Sequence, residues 1–217
     1  MIFQNRIDAG RQLGEALGRR LGLPDGEAPL VLAIPRGGVV VGAEVARALK
    51  APLDLWLARK IGAPHNPELA IGSVSVNGEV YLNQPIIDAF GLQREHLEVE
   101  IRRRQEELLE RMRLLRGHEE PVEVRGKTVI LVDDGVATGS TALAALASLK
   151  RAGAARRILA VPVAPAETAP DLRAAADEAV ILDTPYDFAA VGQFYRDFEQ
   201  VSDEEVIRLL AAPIRLS

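Results

Sequence analysis

An α/β domain built on a doubly wound parallel sheet is the fold this sequence predicts, and three observations predict it. Short apolar runs alternate along the chain with longer amphipathic segments rich in Ala and Leu, the order of β and α elements in such a domain. The runs at 30–34 and 129–132 are apolar at every position instead of at every second one, as strands covered on both faces must be. The compositionally unusual loops, at 35–38, 59–62 and 134–141, each follow a predicted strand. Ligands of open α/β sheets bind beyond the carboxyl ends of the strands, so these three loops are expected on one edge of the sheet.

Each element has its own justification. Over 5–21, Ile7, Leu13, Leu17 and Leu21 fall on one side of a helix, and Gly22-Leu23-Pro24-Asp25-Gly26 reads as a turn. The strand at 30–34 is broken by Pro35-Arg36-Gly37-Gly38. A helix over 39–49 repeats Val41, Val45 and Leu49 at fourfold spacing, and 53–58 is the next strand, closed by Arg59-Lys60-Ile61-Gly62. A strand–helix–strand order of this kind implies a parallel pair with a right-handed crossover.

Residues 64–120 read as an insertion within a single domain spanning 1–217. Strands at 70–76 and 79–82 flank Asn77-Gly78, a strong hairpin signal. A charged helix follows over 93–115, with the apolar stripe Leu97, Ile101, Leu108, Met112 and Leu115 and with Arg and Glu at salt-bridging intervals elsewhere. That stripe needs a cover, either the domain's own core or a second copy in a homodimer. The core pattern then resumes with a strand at 127–132, a helix at 140–152, a strand at 157–163, a helix at 165–175 and a strand at 179–182. Tyr186, Phe188, Phe194 and Tyr195 form an aromatic cluster, read as core in preference to a platform for a base. Ser202-Asp203-Glu204-Glu205 is a capping box that opens the last helix.

Composition narrows the function. The chain has 217 residues, 48% of them hydrophobic, enough for a substantial core. A net charge of −5 provides no general basic field for nucleic acid. The lack of cysteine excludes disulfides, thiolate-bound zinc and thiol nucleophiles. The opening Met-Ile-Phe-Gln-Asn-Arg has no apolar signal core, and no apolar run is long enough to span a bilayer, so a cytoplasmic protein without membrane partners is expected.

The most informative run is Val129-Ile130-Leu131-Val132-Asp133-Asp134-Gly135-Val136-Ala137-Thr138-Gly139-Ser140-Thr141. An apolar strand ends in two adjacent carboxylates, then a loop of small and hydroxyl residues leads into a helix. Backbone N–H groups and a helix N-terminus so arranged bind an anion, and the acids beside them suit hydroxyls or a metal ion. The loop has no Lys and is not a Walker-type P-loop.

This run resembles the phosphoribosyl pyrophosphate (PRPP) motif of the type I phosphoribosyltransferases, and Ile34-Pro35-Arg36-Gly37-Gly38 resembles the pyrophosphate loop of the same family. The resemblance covers 30–60 and 123–183. It implies that Asp133 and Asp134 hold the ribose 2′- and 3′-hydroxyls and Mg²⁺, the metal through water. It implies that Ala137, Thr138, Gly139, Ser140 and Thr141 wrap the 5′-phosphate, and that Arg36, Gly37, Gly38, Arg59 and Lys60 bind the pyrophosphate. Asp133, Asp134, Lys60 and Arg36 are the implied catalytic residues, and a strained or cis peptide is expected at Arg36-Gly37. The implied activity is transfer of ribose 5-phosphate from PRPP to a nitrogen nucleophile with release of pyrophosphate, the partners being small molecules. One departure is informative. Family members that act on 6-oxopurines commonly carry an Asp where this chain has Ala137, so hypoxanthine and guanine are not expected as acceptors. A regulatory protein that binds PRPP or a nucleotide without transfer is the alternative, with a hydrolase on the same frame third. His65 and His96 are left outside the site.

Overall fold

The computed structural model describes residues 1–21, 28–63, 66–118, 120 and 122–212. In chain order the elements are α1 (Arg6–Arg20), β1 (Leu30–Ala33), α2 (Gly37–Leu49), β2 (Leu53–Leu55), β3 (Ala58–Ala63), β4 (Asn66–Ser75), β5 (Val80–Leu82), α3 (Gln84–Ala89), α4 (Arg94–Arg116), β6 (Thr128–Val132), α5 (Ser140–Arg151), β7 (Arg156–Val163), α6 (Ala169–Ala175), β8 (Glu178–Asp183) and α7 (Asp203–Ala211). The turn expected at 22–26 and the residue His65 lie outside the described residues.

A five-stranded sheet, ordered β2-β1-β6-β7-β8 and parallel at every pairing, is the core. Successive strand residues point to opposite faces. Val31, Ile130, Val132, Ile158 and Ala160 pack against Leu13 and Leu17 of α1 and Val41 and Val45 of α2. The intervening Leu32, Val129, Leu131, Leu159 and Val161 pack against Ala145, Leu146 and Leu149 of α5, Leu172 of α6 and the far end of α4. Helices on both faces are why these strands are apolar throughout, and the doubly wound architecture follows.

The second sheet is antiparallel and three-stranded, ordered β3-β4-β5, with Val74 opposite Val80 around the Asn77-Gly78 turn. Its first strand departs from the sequence reading. The run at 53–58 does not form one strand: β2 ends at Leu55, and β3 begins at Ala58 in the other sheet. Trp56 and Leu57 make the transfer. The Trp56 amide donates to the Ala33 carbonyl at 3.0 Å, while its buried indole Nε1 donates to Ser148 Oγ at 2.8 Å. Arg59 and Lys60 therefore lie on a strand, not in the loop that closes a core strand. The stripe of α4 is covered by the chain itself. Leu108, Met112 and Leu115 join the main core beside Leu55, Trp56 and Leu57. Leu97 packs with Ile61, Ala63, Ile71 and Ile87 under the small sheet, with Ile101 alongside. The stripe thus gives no reason to place a second copy there. Ser202 opens α7 as expected, its hydroxyl accepting the Glu205 amide at 3.2 Å.

Candidate functional site

The site begins with the adjacency of β1 and β6. Ala33 pairs with Val132, and the Ile34 amide donates to the Val132 carbonyl at 2.9 Å, so the two chains leave the sheet side by side. Each then opens a helix, α2 at Gly37 and α5 at Ser140, and the first N–H groups of a helix lack intrahelical acceptors. The glycine turn and the acid pair meet directly. A Cβ on Gly37 would lie 1.8 Å from Asp134 Oδ2, and one on Gly38 would lie 2.9 Å from the Asp133 Cα. Only glycine fits either place without moving an acid. The cis peptide in this turn is Pro35–Arg36, one bond ahead of the Arg36–Gly37 bond at which one was expected.

Asp133 Oδ1 accepts the Asp134 amide at 2.9 Å. Asp133 keeps part of its surface exposed, yet the protein packed around it desolvates its carboxyl and pushes it well above the usual carboxylate range; the Asp134 charge pushes the same way and Arg6 opposes both. Asp134 is held from two other directions. Its Oδ2 accepts from Arg6 Nε at 2.7 Å, and its carbonyl accepts from the Tyr195 hydroxyl at 2.5 Å. Burial, followed by the charge on Asp134, raises the Tyr195 phenol and keeps it protonated as a donor. Arg6 also donates to the Glu199 carbonyl at 2.7 Å and lies 3.8 Å over the Phe198 ring.

Beyond the acids, Gly139 caps α5 with φ at +80°, a conformation that favours glycine. Thr138 Oγ1 and Ser140 Oγ are 3.2 Å apart, and Thr168 Oγ1 donates to the Ala137 carbonyl at 3.3 Å. The loop therefore presents hydroxyls and helix N–H groups together, the chemistry of an anion site.

A cavity of about 1070 Å³ lies beside this N-terminus, with Ser140 and Thr141 on its wall, Arg59 and Lys60 of β3 contributing charge, and Ile71 and Leu97 among its apolar lining. Arg36 does not line it. Its guanidinium is 3.8 Å from Asp203 on α7, at a smaller cleft of about 320 Å³ shared with Ser202. Asp203 is gripped at the same time by Arg111 of α4, at 2.5 and 2.8 Å. The structure thus groups Gly37, Gly38, Asp133 and Asp134, sets Arg59 and Lys60 around a cavity with Ser140 and Thr141, and turns Arg36 to α7. Of the aromatic cluster, Phe194 and Tyr195 are buried and Phe188 stacks on Phe194 at 5.1 Å, whereas Tyr186 is 98% exposed. Among the described residues no three His, Asp or Glu side chains gather as a metal cage.

Residues 10–198 match the model of the phosphoribosyl transferase domain. The chain belongs to the phosphoribosyltransferase family. Two Mycobacterium tuberculosis proteins, of strains CDC 1551 / Oshkosh and H37Rv, carry that name provisionally; each is 41% identical over 209 residues, or 96% of this chain and 46% of its own length. The chain thus spans about half the length of these curated relatives. The crystal structure of TT1426 from Thermus thermophilus is 46% identical, covers 97% of this chain and 98% of its own, and superposes with a TM-score of 0.86. At 14% identity, a hypothetical protein from Neisseria gonorrhoeae, solved with bound ppGpp, shares the fold at a TM-score of 0.50 over 96% of this chain and 94% of its own. Arg6, Glu199 and Asp203 fall outside the matched span; the sequence reading passed over Arg6 and Thr168, which nothing local distinguishes, and took Tyr195 only as part of an aromatic core.

Proposed function

We propose that this phosphoribosyltransferase uses PRPP as donor, transfers its ribose 5-phosphate to a nitrogen nucleophile and releases pyrophosphate. The observation that carries the reading is the direct contact of the Gly37-Gly38 turn with Asp134 and Asp133, beside the N-terminus of α5. A ribose bearing a diphosphate at C1 and a phosphate at C5 needs an anion site at each end and hydroxyl acceptors between them. Here the 5′-phosphate takes the 137–141 loop, the diphosphate the glycine turn, and the ribose hydroxyls Asp133 and Asp134.

In the reaction the C1–O bond to pyrophosphate breaks, its electron pair leaving with pyrophosphate, as a C1–N bond forms, and the acceptor's proton passes to the released pyrophosphate or to solvent. Positive charge develops at the ribose ring, where the two acids lie. Lys60, with Arg59, faces the departing diphosphate from β3, and Arg36 reaches it by exchanging Asp203 for phosphate oxygens. A two-carboxylate site suits Mg²⁺, which keeps several waters and takes its remaining ligands from substrate phosphates. Bound through water at Asp133 and Asp134, the ion would neutralise charge on the leaving group. Ala137 has no group to handle the ring proton of a 6-oxopurine, so hypoxanthine and guanine are poor acceptors.

One observation favours a second reading. Arg36 is engaged by Asp203, an arrangement that suits a protein binding PRPP without transferring it. Calorimetric titration of PRPP with Mg²⁺, followed by pyrophosphate-release assays against a panel of bases and amines, separates the two. Binding with release in the presence of one acceptor supports the transferase and identifies its acceptor. Binding without acceptor-dependent release supports the binding protein. Asp133→Asn together with Asp134→Asn should abolish PRPP binding; undiminished binding would remove the ribose from this site.

A further inference from the structure

We propose that Arg6 is a positioning residue of the active site, fixing the Asp134 carboxylate against the Gly37 turn in the orientation that receives the ribose hydroxyls. The proposal rests on the PRPP reading above. Its geometric basis is a single contact cluster. Arg6 Nε is 2.7 Å from Asp134 Oδ2, and a Cβ placed on Gly37 would lie 2.8 Å from Arg6 Nε and 1.8 Å from Asp134 Oδ2. Guanidinium, carboxylate and glycine turn therefore occupy one another's van der Waals surface. The side chains of Arg6 and Asp134 are only 12% and 15% exposed, so the pair is not a solvated surface contact.

Arg6 is itself fixed on its other sides by the Glu199 carbonyl at 2.7 Å and the Phe198 ring at 3.8 Å. A guanidinium serves two acceptors in a fixed fork while stacking on a ring; an ammonium holds no such geometry. Asp134 thereby has its carboxylate set by Arg6 and its backbone set by the Tyr195 hydroxyl, both from the contact of the first helix with 195–199. A carboxylate free to rotate would take several orientations, and substrate would have to select one of them.

A purely structural tether is the competing explanation, and the surrounding contacts weigh against it. The segment before α1 is already fastened without Arg6. Phe3 donates to the Phe194 carbonyl at 2.8 Å, Arg196 donates to the Phe3 carbonyl at 2.9 Å, and Asp197 donates to the Gln4 carbonyl at 3.0 Å. Leu13 and Leu17 bury α1 against the sheet, and Asn5 caps it by accepting the Asp8 amide. Arg6 and Glu199 both lie outside the residues that match the family model.

Three probes separate the roles: PRPP with Mg²⁺, ribose 5-phosphate, and inorganic pyrophosphate with Mg²⁺, each titrated into the full chain carrying Arg6→Gln, Arg6→Lys or Asp134→Asn. Charged hydrogen bonds of this kind set the scale, and Arg6→Gln should weaken PRPP and ribose 5-phosphate by about ten- to a hundredfold. Pyrophosphate, which has no ribose, should stay within about twofold. Arg6→Lys keeps the charge and the fold and should recover part of the loss. In the Asp134→Asn background, Arg6→Gln should add less than about twofold. Equal weakening of all three probes together with a lower melting temperature would make Arg6 structural and overturn the proposal. Unchanged PRPP binding in Arg6→Gln, with loss in Asp134→Asn, would overturn it and leave the PRPP reading standing. Failure of the unsubstituted chain to bind PRPP or ribose 5-phosphate would overturn both.

Discussion

In the five-stranded sheet, loops far apart in sequence touch: Gly37 meets Asp134 and Gly38 meets Asp133, because β1 and β6 are hydrogen-bonded neighbours. In the three-stranded sheet the charged residues at the cavity, Arg59 and Lys60, sit on the body of a strand and share the cavity wall with Ser140 and Thr141. The first arrangement is imposed by parallel register and leaves no room for a methyl group. The second depends on how the small sheet and α4 are held against the core. They are held by Leu108, Met112 and Leu115 and by two ion pairs, Arg111 with Asp203 and Arg116 with Asp54 at 2.9 Å. One region fixes the geometry of the site, and the other sets the distance at which charge is delivered to it.

Substitutions can break this contrast. The largest effect is expected for Gly37→Ala. Its Cβ would overlap the Asp134 carboxylate, and displacing a positioned acid by about 1 Å costs on the order of a hundredfold; calorimetry should show PRPP binding reduced at least that far, with the circular dichroism of the helices preserved. Met112→Ala should act in the opposite sense. Met112 is fully buried, so its truncation should destabilise the chain by about 2–5 kcal/mol in urea unfolding, while PRPP affinity under native conditions stays within about threefold. If Met112→Ala instead removed binding, the two regions would not be separable. Lys60→Ala should raise the KM for PRPP about tenfold, the scale of one charged hydrogen bond.

The smallest effect sharpens the link between the regions. The hydrogen-bonded guanidinium of Arg111 holds the Asp203 carboxyl below its usual range, with Arg36 acting in the same direction. A depressed folded value contributes stability that is complete above the unfolded value of about 3.9 and disappears as the pH falls through the folded one. The melting temperature of Asp203→Asn should therefore lie slightly below that of the unsubstituted chain at pH 7, and the difference should narrow progressively as the pH falls below about 4. A gap that persisted in acid would mean that Asp203 acts through packing and not through its charge.

The sequence by itself determined the doubly wound sheet, the hairpin, the long helix and its stripe, the α7 cap, and the two loops that brought the family resemblance. All of these are short-range demands: apolar runs covered on both faces, glycine where a Cβ has no room or φ is positive, a hydroxyl at a helix start. Tertiary structure alone decided the division of 53–58 between two sheets, since the Trp56 indole is drawn to Ser148, 92 residues away. It also decided that Arg36 turns to Asp203, that the cis peptide falls at Pro35–Arg36, and that Arg6 grips Asp134 across 128 residues. A guanidinium in the first turn of an amphipathic helix looks like any solvated charge until the fold brings its acceptor. Partner choice over such separations is set by which strands are neighbours and which chain ends meet, and no local pattern of residues encodes that.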